Sequence, residues 1–516
     1  MNTLDIMRAG SLLCTVKLSD NSTQTKRIMG ENNVVVNFRD TRNILFRIND
    51  YCVVFGETYK LRRKPPATKN SDLDYEYTLT FESEGNDLAK AQYLFLDSAN
   101  ELTVGDFSLM GNADTFMDLL LQNVLKTSSG WQKGQVIPTG YKNLTFTKTN
   151  CYEALSRLAE EFETEFWIEG KRIHLTKRAN DTGHVFKNRR NQGLYSINKQ
   201  TSNDSDIATR LYAYGAEKNL PADYILTSKR LKLPDDVFPY LEKNVDKYGV
   251  VEHTEIFEDI YPRRTGRVTS VNAGDPFVFV DADLDFDIND QLLPGITAKV
   301  VFNTGQLAGY QFEVSSYNDS TKTFRLLKNN SERVLDIPSD LLRPAIGDEY
   351  VLIDIVMPDS YVEAAELELK ERAQALLDTI SEPQESFNVT FDSTHLRDNN
   401  ISLSIGDLIW IVDEALEIQR KIRITGTVRS LVYEYEYQSV ELSDIVSPGT
   451  ISRIISFQQS SDRSLSGLQT QVLNNSILNN NVIGTLKFTG IPETTDPTGF
   501  VPVYLKLADG KLYILV

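Results

Sequence analysis

The chain has 516 residues, 72 acidic against 54 basic, with a formal net charge of −18 and a pI near 4.9. Its length is too great for one core and predicts about three to five domains. The charge excludes counterion release as a route to binding DNA or an anionic membrane surface, and 41% apolar residues exclude wholesale disorder.

Residues 1–103 read as strands. TVKLSD, NVVVNF, ILFRIND, YCVVFGETYKL and YEYTLTFES place β-branched or aromatic residues at alternating positions between polar turns, which predicts a small β-barrel or sandwich. Arg62, Arg63 and Lys64 before Pro65 and Pro66 mark a loop.

From residue 104 the period changes. Phe116, Leu119, Leu120 and Val124 recur at helical spacing, with Asp114 as the expected N-cap. In a second helix Asn150 is the expected cap and Leu155, Leu158 and Phe162 face inward. EFWIEGKRIHLTKR predicts a hairpin turning at Glu169–Gly170. Residues 104–203 therefore form an α+β unit. SDIATRLYAYGAEKN is a strand with a glycine break, and residues 261–358 are nearly all β, which predicts an inserted β domain. DSYVEAAELELKERAQALLDTI is a helix with Leu367, Leu369, Ala373, Leu376 and Leu377 expected inward. Strands return to about residue 446.

Residues 451–484 are rich in Ser, Asn and Gln. Leu465, Leu468, Val472, Asn475, Asn479 and Val482 repeat at three and four, the pattern of a short a/d seam in which Asn fixes register and oligomer number. A flexible linker gives the same composition. Two or three strands around Asp509–Gly510 follow.

Chemistry is sparse. His174, His184, His253 and His395 lie in no HxH, HExxH or CxxCH spacing, and no zinc signature exists. His174 alternates with Ile173 and Leu175 and is expected on a strand surface. Cys14, Cys52 and Cys151 are too few and too scattered for a disulfide framework, which predicts synthesis in a reducing compartment. Cys151 lacks the context of a nucleophile. GxSxG and P-loop motifs are missing, and no two carboxylates are singled out as a glycosidase pair. No cofactor is expected. The N-terminus is not a secretory signal and no run of 18 apolar residues occurs, which predicts a soluble protein made in the cytoplasm.

The stretch VFVDADLDFDINDQLLPG carries Asp281, Asp283, Asp285 and Asp287 at spacing two. On a strand these four share one face. Counted from Asp281, the sixth and twelfth places of an EF-hand loop hold Phe286 and Leu292 instead of Gly and Glu, so that loop fails. A solvated face is the expectation; a weak calcium site or a contact for a basic partner is the alternative.

The order of segments resembles the tail hub proteins of tailed bacteriophages, the family of tail-associated lysins and prophage "endopeptidase tail" proteins. YEYTLTFES, LTFTKTNCYEALSRLAEEFETEFWIEGKRIHLTKR, DIATRLYAYGAEKN, HTEIFEDIYPRRTGRV, MPDSYVEAAELELKERAQALLD and ISLSIGDLIWIVDEALEIQRKIRITGTVRSLVYEY carry the likeness, which spans about residues 1–446. It implies a multidomain, mostly β chain of baseplate-hub architecture: a first β-barrel-like tube domain (1–103), the α+β domain (104–203), a second tube domain (204–260 and 359–446, with helix 359–380), the inserted β domain (261–358) and a C-terminal trimerisation or fibre-attachment segment (447–516). Three such chains would make a pseudo-sixfold ring at the distal end of a tail tube. The implied partners are the distal tail protein, the tape-measure protein and receptor-binding fibres, with genome DNA passing an acidic wall. The lytic label belongs to members with an added domain and is not carried over. A receptor-binding fibre protein and an envelope-degrading hydrolase are the alternatives from other classes.

Overall fold

The computed structural model describes residues 2–96, 102–188, 191–201, 207–221, 224, 229–329, 337–340, 342–382, 385–443, 504–508 and 511–515. The chain divides into two compact units, Met1–Ser452 and Arg453–Val516. It is a multidomain, mostly β protein.

A 14-stranded sheet runs through the first unit. Its N-terminal part orders the strands Thr23–Arg27, Asn32–Asp40, Asp74–Ser83, Glu57–Leu61, Tyr51–Val54, Thr3–Arg8 and Ser11–Lys17, with Ala67–Ser71 added to Asp74–Ser83. Alternation in NNVVVNFRD turns Val34, Val36 and Phe38 inward, where they meet Leu79, Phe81 and Tyr59. Residues 44–50, expected as a strand, form a loop instead. Asp50 accepts from the Arg47 amide and from Arg8, which bends the chain, and Phe46 swings in against Phe38 and Tyr77.

The second β module has its own core, built on Phe186, Phe387, Val389, Ile409, Ile411, Ile422 and Leu442. Its strands are Asn180–Lys187, Leu194–Thr201, Glu385–Phe391, Asp407–Asp413, Ile418–Ser430 and Tyr437–Ser443. The first of these pairs in parallel with Asp407–Asp413, and the second pairs with Glu385–Phe391. Residues 180–201 thus sit in this sheet, whereas the sequence reading groups them with the α+β unit.

The two modules meet where Thr23–Arg27 pairs antiparallel with residues 426–430. The 13-residue strand Ile418–Ser430 spends its first half on Asp407–Asp413 and its second on Tyr437–Ser443 and Thr23–Arg27. Register shifts at Ile424/Gly426 and Val428/Arg429 re-aim it between the two cores.

The α+β unit packs α1 (Ala113–Thr127) and α2 (Cys151–Glu161) over short sheets, one of them holding Gln132–Val136, Arg172–Leu175 and Phe166–Glu169. α2 starts in a capping box of Asn150 and Glu153. α1 is capped by Asn112, not Asp114, because the Asn112 side chain reaches the Thr115 amide. The hairpin at Glu169–Gly170 forms as the sequence predicts.

A separate three-stranded sheet is formed by Leu241–Glu242, Arg210–Gly215 and Glu252–Phe257. The short α3 (Val245–Tyr248) lies in this segment. Strand 210–215 therefore does not re-enter a tube-like sheet. Its face is covered by α4 (Asp359–Ile380) through Val362, Ala365, Leu369, Ala373 and Leu377. Leu367, expected inward, is 53% exposed: at 3.6 residues per turn it falls two positions from the buried stripe. A last helix, α5 (Ser393–Asp398), is capped by Asp392.

The insertion is a seven-stranded sheet, Thr265–Arg267, Glu349–Ile353, Lys299–Phe302, Gln311–Asn318, Thr323–Leu326, Val278–Val280 and Ser270–Val271, around Phe279, Phe302, Phe312 and Phe324. In the second unit Tyr504–Ala508 and Lys511–Leu515 form an antiparallel hairpin. Leu465, Leu468, Val472, Asn475, Asn479 and Val482 lie outside the described residues. Among the described residues no helix is long and apolar enough to cross a membrane.

Candidate functional site

The four aspartates do not share a strand face. The strand ends at Val280, and beyond it the carboxylates of Asp281, Asp285 and Asp287 face different partners, because Asp readily turns the chain through its own side chain. Asp281 is fully buried and pairs with Arg264 at 2.7 Å while Tyr350 donates to it at 2.7 Å. Burial and the adjacent Asp281 carboxylate push the Tyr350 phenol well above its ordinary range, so it remains a donor. Arg264 also donates to the Asp283 carbonyl, its side chain only 14% exposed. Asp285 accepts from Tyr361 on α4 at 2.9 Å, and Asp287 caps the turn at Asn289. The stretch fastens the insertion to its own flank and to α4. Among the described residues, no three His, Cys, Asp or Glu side chains are grouped to hold a metal ion.

Arginine contacts also cross other joints among the described residues. Leu88, Ala91, Tyr93 and Leu96 pack into the core of the α+β unit although the sequence reading ends the first β domain at residue 103, and Asp87 beside them pairs with Arg62 of the first β module at 2.5 Å. Burial alone would raise the Asp87 carboxyl; Arg62 and Lys90 outweigh it and hold Asp87 below the usual carboxylate range. Arg423 makes a two-pronged pair with Glu165 at 2.7 and 2.6 Å, its side chain 3% exposed, and so locks the second β module to the α+β unit. Arg27 pairs with Glu441 at 2.7 Å across the joint between the β modules. Arg429 places its guanidinium 3.7 Å over Phe55 in the other module. Gly426 lies where a Cβ would stand 2.5 Å from the Glu441 carboxylate, so a side chain there would push that carboxylate from its place beside Arg27. Arg372 on α4 pairs with Glu163 at 2.7 Å. Sequence reading missed these arginines; its signal was their position, since Arg62 and Arg264 fall in segments it marks as a loop and an insertion flank.

The remaining candidates are structural in placement. His174 is not a surface residue: it is 5% exposed, stacked on Trp167. His184 and His395 lie against Phe186, and His253 is exposed beside Glu255. All three cysteines are buried thiols. Burial pushes Cys151 up to about 12, a protonated and poorly nucleophilic thiol at neutral pH. A shallow cavity of about 390 Å³ lies against α1, where Asp114 and Asp118 are both paired with Lys133.

No protein-family model matches the chain, and no curated protein matches it. Among solved structures it is similar to prophage tail protein gp18 of Listeria monocytogenes, with 9% identity and a TM-score of 0.41 over 90% of this chain and 99% of that one. It is also similar to a tail protein of prophage MuSo2 from Shewanella oneidensis, with 8% identity and a TM-score of 0.45 over 86% and 97%. A chain of the Francisella PdpA–VgrG complex has 10% identity and a TM-score of 0.34 over 86% of this chain and 52% of that one.

Proposed function

We propose that this chain is a structural hub of a phage tail tip. Three copies form a ring that closes the distal end of the tail tube, contacts the distal tail protein and the tape-measure protein, and carries receptor-binding fibres on its C-terminal segment. The observation that carries this reading is the fusion of two barrel-like β modules into one sheet by the pair 23–27 with 426–430. Each copy then offers two β modules in a fixed relation, and three copies offer the six positions that a sixfold tube end requires. A net charge of −18 suits a wall that DNA passes without binding. The role is non-enzymatic, and the protein is a virion component made in the host cytoplasm.

Electron cryo-microscopy of the full chain over a concentration range, alone and with its distal tail protein, tests this. Threefold rings with an axial channel are the expected result. Particles that stay single in both conditions refute the hub. Clearing of peptidoglycan or polysaccharide by the purified chain, lost on substituting one carboxylate, would refute the non-enzymatic part.

A further inference from the structure

The α+β unit carries a buried titratable group, His174, on the strand Arg172–Leu175, two contacts away from its joint with the second β module. The strand Gln132–Val136 runs parallel to Arg172–Leu175, and its ladder breaks between Lys133 and Val136. There the His174 ring replaces the ladder: its Nδ1 accepts from the Gln135 amide at 2.9 Å. That bond fixes the tautomer, since Nδ1 must be unprotonated to accept. The proton sits on Nε2, which has no hydrogen-bond partner among the described residues. Gly134 lies so close that a Cβ there would stand 2.5 Å from the imidazole.

From His174 the contacts lead through Trp167 and Arg178 to the second module. The ring stacks on Trp167 with centroids 3.6 Å apart and planes 8° from parallel. The Arg178 guanidinium lies 4.6 Å over Trp167. The Arg178 carbonyl accepts from Arg423, the residue that grips Glu165, and two residues on the Asn180 amide donates to Gly406.

We propose that the His174–Trp167–Arg178 cluster is an acid-sensitive fastener: it holds the α+β unit on the second β module while the imidazole is neutral and loosens when that ring takes a second proton. Protonated Nδ1 would face the Gln135 N–H donor to donor, and the bond is lost. The new charge would be buried. Of the charged groups around it, Glu169 favours it, while Arg172 and Arg178 oppose it. On the packed elements, Lys133 is held by Asp114 and Asp118, and Arg423 by Glu165. Burial, the largest influence, lowers the affinity of His174 for a proton below that of an ordinary histidine. With the closed-state value depressed, the open joint binds the proton that the closed joint refuses. Closure is unaffected above the ordinary histidine value of about 6.5 and weakens as pH falls below it, by about tenfold for each unit separating the two values.

Hydrogen exchange of the full chain between about pH 7.5 and 5, corrected for the intrinsic pH dependence, tests this. Segments 132–136 and 166–178 should lose protection on the order of tenfold relative to the strand Asn32–Asp40, and His174→Gln, which keeps an acceptor but does not titrate, should abolish the difference. Wild-type segments that track the reference strand overturn the proposal, as does a pH dependence that survives the substitution. Imidazole ¹⁵N NMR of the histidine-labelled wild type reads the ring without any variant. A ring that keeps the Nε2–H form down to about pH 5.5 is expected, and the lack of any such ring overturns the proposal.

Discussion

Replacing Arg264 with alanine leaves the Asp281 carboxylate fully buried with Tyr350 and the Asp283 amide as its remaining partners. Two neutral donors do not replace a guanidinium. Breaking a buried pair from one side costs about 3–5 kcal/mol, because the surviving charge stays desolvated. The loss falls on the insertion, where Asp281 directly follows the strand Val278–Val280 and accepts from Tyr350 of the strand Glu349–Ile353. In a unit of this size each kcal/mol moves the midpoint by roughly 4–8 °C, so its transition should drop by more than roughly 12 °C. Trp131, Trp167 and Trp410 all lie outside the insertion, which makes tryptophan fluorescence blind to it. Differential scanning calorimetry, with hydrogen exchange over residues 265–353 to assign the transition, is the assay. The double variant Arg264→Met, Asp281→Leu should recover much of the loss, since an apolar pair needs no counter-charge. A midpoint within about 3 °C of wild type for Arg264→Ala would refute the reasoning and place the pair with screened surface bridges.

Arg423→Ala should cost a similar amount, about 3–5 kcal/mol, and lower the urea midpoint read by Trp167 and Trp410, which flank that joint. Leu369→Ala, in the fully buried stripe of α4, should destabilise by about 2–5 kcal/mol, whereas Leu367→Ala on the same helix should stay within about 0.5 kcal/mol; equal effects in denaturant titrations would contradict the helix orientation. Asp87 is held below the usual carboxylate range, so its stabilising share is present above the ordinary Asp value of about 3.9 and is lost as pH falls through the lower folded value. Asp87→Asn should accordingly shrink the stability difference between about pH 6 and pH 3, measured as urea midpoints.

Elements whose signals are local were readable from the sequence. Asn150 and Glu153 specify the start of α2 within four residues, and the alternation of Val34, Val36 and Phe38 specifies a half-buried strand. Partnership was not readable. Asn180 and Asp407, 227 positions apart, share a parallel ladder that no neighbouring residue signals. Alternation also misled in two ways. At Asp281–Asp287 a period of two came from side chains that turn the backbone: Asp281 and Asp287 each bond the amide two residues on. At His174 the strand is covered on both faces, with Ile173, His174 and Leu175 all buried, so period no longer separates inside from outside.

The arginine joints explain how separate cores can act as one frame. Domain contacts of modest size permit relative motion by default, and the first and second β modules each bury their own apolar residues. What crosses between them includes one strand pair, the Arg27–Glu441 bridge, Arg429 over Phe55, and Leu431 and Val432, which follow that strand and pack into the first core. The charged contacts add little net stability once desolvation is counted, but a planar guanidinium accepts only a narrow range of partner orientations. Their product is a fixed angle. A small angular error in a head-to-tail assembly repeats at every copy and opens the ring into a helix. If three copies close a ring as proposed, a chain that places two β modules on that circle gains more from joints that fix direction than from a larger shared core, and arginine suits that demand better than lysine or an added apolar contact would.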